Sequence, residues 1–165
     1  MRATAEPGLE DLYREHALWL VRFALLLTGD RATAEDVVQD AFLGLHRRWD
    51  DLRDRDRVLA YLRTAVVNGT RSRYRRHLVA RRLGSEPLAL VESAEASVLA
   101  GEDRRTLLAA VDALPRRQRE VLALKYFLDL SEQEVASILS ISRGAVASTA
   151  SRALTALARR LREES

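Results

Sequence analysis

Apolar residues recur along this chain at three- and four-residue spacing, the pattern of helices with one buried face, while β-branched residues rarely cluster or alternate. Leu12, Leu18, Leu20, Val21, Ala24, Leu25 and Leu27 place a first helix over about Leu9 to Thr28. Thr28-Gly29-Asp30 ends it, because Gly29 suits the left-handed position beyond a helix. Thr33-x-x-Asp36 reads as a capping box with Asp in place of Glu, opening a second helix. That helix turns Val37, Val38, Ala41, Phe42 and Leu45 to one side and Glu35, Asp36, Gln39 and Asp40 to the other. A third, Arg57 to Leu78, carries Leu59, Leu62, Ala65 and Val66 inward and Arg63, Arg71, Arg73, Arg75 and Arg76 outward.

From Val79 the pattern weakens. Gly84-Ser85-Glu86-Pro87 breaks helicity, and the acidic stretch that follows carries small residues and no apolar stripe. Residues 79–102 therefore read as a flexible linker between two small helical domains, 1–78 and 103–165, each expected to fold independently. Beyond it, Asp103 to Ala113 is a short helix, and Leu114-Pro115 starts another that ends near Phe127. Ser131-Glu132-Gln133-Glu134 is a capping box, opening a helix with Val135, Ala136, Ile138 and Leu139 inward. Ser140-Ile141-Ser142 makes a tight turn, and Ser142 caps a last helix reaching Leu161. The predicted class is all-α.

Composition strengthens that reading. Leu (28) and Ala (25) supply about a third of 165 residues, against 7 Gly and 3 Pro, so strong helix formers dominate. With no Cys, disulfides, thiol catalysis and Cys-ligated zinc are excluded, and His16, His46 and His77 stand too far apart for a metal motif. No apolar run reaches membrane-spanning length, and the first residues lack the apolar block of a signal peptide, so a cytoplasmic protein without a membrane partner is the expectation.

Charge alternates by block. Residues 9–52 hold nine acids and five Arg, whereas residues 53–82 hold ten Arg against Asp54 and Asp56. Residues 83–103 hold five acids and no base, and residues 104–165 hold eleven bases against seven acids. A basic block of that size points to a polyanion. Trp49, Tyr61 and Tyr74 lie near or within it, a combination that suits single-stranded nucleic acid. Aromatics at these spacings are more often core, however, with Tyr61 expected inside and Trp49 at least half buried. Leu130–Leu139, a three-residue turn and Arg143–Arg152 fit a helix-turn-helix, whose second helix enters the major groove. Ala136 lets the two helices approach, and Ile141 and Val146 lock their crossing.

Two groups of motifs, in order, carry a resemblance. Leu26-Leu27-Thr28-Gly29-Asp30, Ala34 through Phe42, Ala60-Tyr61-Leu62-Arg63 and Val67-Asn68 form the first. Ala113-Leu114-Pro115-x3-Arg119-Glu120-Val121-Leu122 and Leu130-Ser131-x2-Glu134-Val135-Ala136 form the second. Together, over about Leu9 to Leu161, the chain resembles the extracytoplasmic-function sigma factors of bacterial RNA polymerase. The resemblance implies a transcription initiation factor, not an enzyme, with no cofactor and no metal. Its partners would be core RNA polymerase (clamp helices and flap), promoter DNA and, as often in the family, a separate anti-sigma protein.

Residue by residue, Asp36, Gln39 and Asp40 fall where the family docks on the clamp helices. Asn68 falls on the asparagine that contacts a base flipped from the non-template strand of the minus-10 element, with Arg71, Arg73, Arg75 and Arg76 beside it for phosphates. Arg119, Arg143, Ser148, Ser151 and Arg152 are left to read the minus-35 element. Here the chain departs from the family, with Ala147 and Thr149 where basic residues are common. Two rival readings exist. A stand-alone helix-turn-helix regulator would dimerise and bind duplex DNA by itself. A helical nuclease would need a carboxylate cluster, for which Asp50-Asp51 and Asp54-x-Asp56 are the nearest candidates.

Overall fold

The computed structural model describes residues 7–52, 54–84 and 101–163, without the side chain of Arg81, and among them every regular element is helical. The first domain comprises α1 (Leu9–Thr28), α2 (Arg31–Arg47), a single 3-10 turn (Trp49–Asp51) and α3 (Arg55–Arg82). The second comprises α4 (Glu102–Asp112), α5 (Arg116–Leu122), α6 (Glu132–Leu139) and α7 (Arg143–Glu163). A π-helical turn, Ala123–Phe127, extends α5.

Helix ends follow local chemistry. Gly29 terminates α1 in the left-handed conformation (φ 69°), with its N–H donating to the Leu25 carbonyl at 2.8 Å. The predicted cap at Thr33 is displaced by one turn. Asp30 caps α2 instead, accepting from the Thr33 N–H at 2.9 Å and from the Thr33 hydroxyl as well. Asp30 wins because it is the first residue past Gly29 and its carboxylate is short enough to fold back on the new turn. The Ser131–Glu134 capping box forms in both directions, at 3.2 and 2.8 Å. Ser142 accepts from the Ala145 N–H at 3.0 Å, as predicted for the cap of α7.

In the first domain α1, α2 and α3 pack on one another around Leu12, Leu20, Phe23, Val37, Val38, Leu45, Leu62 and Val66. Gly69 permits the close approach of α3 to α2, since a β-carbon there would lie 3.0 Å from Val37 Cγ1. Three predicted positions are corrected. Leu18 is 62 % exposed, because it falls off the buried stripe. Val58 and Val67 take the inner positions of α3, while Leu59 and Ala65 are only half-buried. α3 also runs on to Arg82, so residues 79–82 of the predicted linker are helical. Residues 85–100 of that linker lie outside the described residues. Trp49 and Tyr61 are both half-buried against the core.

In the second domain α5 and α6 pack on α7, and α4 closes against the same helix. Ser140 adopts φ 55° in the turn between α6 and α7, and the Ile141 N–H returns to the Ala136 carbonyl at 3.1 Å. Ala136 and Val146 are buried where the two helices cross.

The two domains are not separate bodies. Val121, Ala123, Leu124, Leu130 and Val135 belong to the same apolar cluster as the first domain's core. α1 touches α4, α5 and the π turn, and α3 touches α6. The domains thus meet across a packed interface as well as through the chain that joins them.

Candidate polymerase and nucleic-acid interface

On α2 the alternation of Val37, Val38 and Ala41 with Asp36, Gln39 and Asp40 buries the former and exposes all three of the latter. The resulting stripe is not free of partners. Arg73 reaches across from α3, with Nη2 2.9 Å from Asp40 Oδ2 and Nη1 3.9 Å from Asp36 Oδ2. A residue assigned to phosphate and two assigned to docking thus form one surface ion cluster.

Along α3, Asn68, Arg71 and Arg75 lie at helical spacing on one face, with Arg73 and Arg76 turned aside. Asn68, Arg75 and Arg76 are exposed. Arg71 is different. Its Nε and Nη2 donate to Glu120 Oε1 and Oε2 at 2.8 and 2.9 Å, a bidentate pair between the domains. The Glu120 side chain is 1 % exposed and that of Arg71 is 19 % exposed. The hydrogen bonds to Glu120 hold the guanidinium above its ordinary pKa. Arg116 and Arg117 also face Glu120, at 3.8 and 3.4 Å, and the Arg116 guanidinium lies over the Tyr74 ring.

Arg119 sits beside this junction rather than with the other minus-35 candidates. Its side chain is 15 % exposed, and its Nη1 bonds Asp112 Oδ1 at 3.0 Å. Leu27, Thr70 and Tyr74 of the first domain line a small cavity with Arg116, Arg119 and Glu120 of the second.

On α7, Arg143, Ser148, Ser151 and Arg152 are all exposed. The Ser148 hydroxyl donates back to the Ala145 carbonyl at 3.2 Å, leaving its oxygen to accept. The two departures from the family separate here. Ala147 is exposed, so the outer face does lack a side chain there, whereas Thr149 is 6 % exposed and belongs to the core. Position 149 is therefore a packing position in this chain. An open groove of about 290 Å³ runs along α7 between Ser151, Arg152, Thr155, Ala156 and Arg159. Thr155 and Arg159, which the sequence reading does not pick out, continue the Ser151 face by one and two further turns.

Two further groups have shifted pKa values. Burial lowers the His16 imidazole, whose Nδ1 accepts from Trp19 Nε1 at 3.1 Å. The Ser131 backbone N–H and then its hydroxyl hold Glu134 below the ordinary carboxylate value. Among the described residues, no group of three or more His, Asp and Glu is placed to hold a metal ion, and no helix is long and apolar enough to cross a membrane.

Comparison with known proteins adds an independent line. Residues 12–78 match the Sigma-70 region 2 family and residues 104–157 match Sigma-70 region 4. The RNA polymerase sigma-E factor of Streptomyces avermitilis is 34 % identical over 94 % of this chain and 83 % of its own length. The ECF RNA polymerase sigma factor SigL of Mycobacterium tuberculosis is 33 % identical over 98 % of this chain and 93 % of its own. The sigma factor RpoE of Bartonella quintana, solved with the anti-sigma factor NepR, superposes with a TM-score of 0.73 at 25 % identity, over 93 % of this chain and 98 % of that one. CnrH, solved with the cytosolic domain of CnrY, gives 0.68 at 26 % identity, over 95 % and 89 %. Both regions are present in their family order on an all-helical fold, and the chain belongs to the extracytoplasmic-function sigma factors of RNA polymerase.

Proposed function

We propose that this sigma factor docks on core RNA polymerase through Asp36, Gln39 and Asp40, and uses its two domains on two separate promoter elements. In this reading residues 1–78 form the docking and minus-10 domain, and 103–165 form the minus-35 domain. The observation that carries it is an exposed acid-and-amide stripe on α2, backed by a buried apolar row, within the segment that matches region 2. Carboxylates and an amide on a rigid helix suit arginines of a partner, because charge-assisted bonds of fixed geometry give both affinity and register.

The chemistry is recognition rather than catalysis, performed in the cytoplasm. Asn68, with a donor and an acceptor on one amide, reads the edge of an unpaired base. Arg75, exposed on the same face, Arg76, exposed to one side of it, and Arg71 and Arg73, once released from their carboxylates, neutralise phosphates. Arg143, Ser148, Ser151 and Arg152 enter the major groove, with Arg152 toward a guanine. Arg119 adds a backbone contact once it is uncovered. Control by a separate anti-sigma protein fits the same picture, since the structurally similar sigma factor RpoE was solved in complex with the anti-sigma factor NepR. A free-standing helix-turn-helix regulator leaves the region 2 match without a role.

The test is capture of core polymerase by the wild type and by Asp40→Arg. Reversal of one exposed charge should abolish capture while the helical circular dichroism stays unchanged. Full capture by the variant would remove the stripe from the docking surface.

A further inference from the structure

The interface between the domains raises a geometric problem that the promoter makes sharp. The minus-10 and minus-35 elements lie about 25 base pairs apart, or ~85 Å along B-form DNA at ~3.4 Å per base pair. A compact chain of this length has a radius of gyration of about 15 Å and is ~40 Å across. The packed arrangement cannot reach both elements at once. The connection can allow separation, since the steps from Gly84 to Gly101 span up to ~60 Å when extended. The molecule must therefore open to work, and something in it must hold it closed.

Glu120 is the centre of the closure. It is buried on α5, takes both donors of Arg71 from the other domain, and has Arg116 and Arg117 around it. A carboxylate in a guanidinium fork has the geometry of a phosphate in the same fork. Glu120 occupies the place on Arg71 that a DNA phosphate would take. The same junction keeps Arg119 of the second domain 15 % exposed. The pair thereby withholds Arg71, whereas Arg119 is held by Asp112 of its own domain.

Resting on the sigma-factor reading, we propose that the Arg71–Glu120 pair is an autoinhibitory latch: it holds the free sigma factor closed and exchanges its carboxylate for promoter phosphate when polymerase separates the domains. The apolar contacts between the domains add to closure but carry no competition with DNA. The ion pair does, so it makes opening responsive to the ligand.

The absence of cysteine allows a direct test on the full chain. Exposed Ala32 on α2 and exposed Ala158 on α7 are changed to Cys and labelled with a fluorescent donor and acceptor. The free protein should show high energy transfer, which falls when core polymerase is added. Introducing Glu120→Gln should lower transfer in the free protein and tighten core binding by about fivefold or more, because a larger fraction is already open. Arg71→Met breaks the pair from the surface of α3 and should lower transfer in the same way, whether or not Glu120→Gln folds well, with circular dichroism reporting on both. Transfer in both free variants equal to wild type, or transfer unchanged by bound core, would overturn the latch. Failure of the wild type to bind core at all would instead strike the sigma-factor reading, and transfer in the free variants would still decide what the pair does.

Discussion

Arg73 of α3 and Asp40 of α2 bond at 2.9 Å on the surface of the first domain, joining a residue proposed for DNA to one proposed for polymerase. The Asp40 side chain is 66 % exposed, so water screens this pair and it is worth about 0–1 kcal/mol. Such a bond is easily exchanged for an outside partner. The contrast with Arg71 and Glu120 is one of burial, because desolvated partners couple more strongly. Double-mutant cycles measured by denaturant unfolding should give no more than about 1 kcal/mol for Arg73→Ala with Asp40→Asn, and about 1–3 kcal/mol for Arg71→Met with Glu120→Gln. Equal couplings would mean that burial does not distinguish the two pairs.

Asn68→Ala should impair promoter opening more than closed-complex binding. Asn68 is exposed on α3, so its loss should leave the buried core of the fold intact. An amide that reads a flipped base has no partner until the duplex melts. Permanganate reactivity of thymines in the bubble should fall, while retention of labelled promoter on polymerase stays near wild type. Normal thymine reactivity would take Asn68 out of the reading of the melted strand.

Much of this architecture is legible from residue order, and the exceptions share a cause. The Ser131–Glu134 box, the Gly29 stop and the crossing of α6 with α7 depend on neighbours a few residues away, so local chemistry specifies them. Most of the buried rows on α1 and α2 follow from spacing, but Leu18 is exposed, and Phe23, His16 and Ala34 are buried although spacing does not pick them out. The cap of α2 moves to Asp30 because two capable residues lie within one turn, and periodicity does not choose between them. Thr149 reads as a missing DNA contact until its inward direction on α7 is known. Glu120 is the deepest omission. It lies 49 residues from Arg71, and an acid in a basic segment gives no sign of which arginine it will meet. Charge blocks identify a polyanion surface, but they do not say which of its arginines the protein itself occupies.

The capping box of α6 supports the helix-turn-helix and should be visible in the acid range. Glu134 is held below its ordinary pKa by the Ser131 N–H, so the folded state binds its proton less readily than the unfolded chain. Its contribution is complete above the ordinary carboxylate pKa and is lost as pH falls through the lowered value. Glu134→Gln should flatten the acid limb of the stability profile. Ser131→Ala should cost about 1 kcal/mol at neutral pH, a shift of ~2–4 °C in Tm. A thermal melt of Ser131→Ala identical to wild type would show that the box is not holding the helix end.

The most direct measurement is run-off transcription by core polymerase on pooled genomic templates, with and without this protein. A sigma factor that docks through α2 and reads two elements should produce transcripts only when present. Their start sites should share one element near minus-10 and a second near minus-35, and Asp40→Arg should abolish them. Identical transcripts in the two reactions would contradict the account.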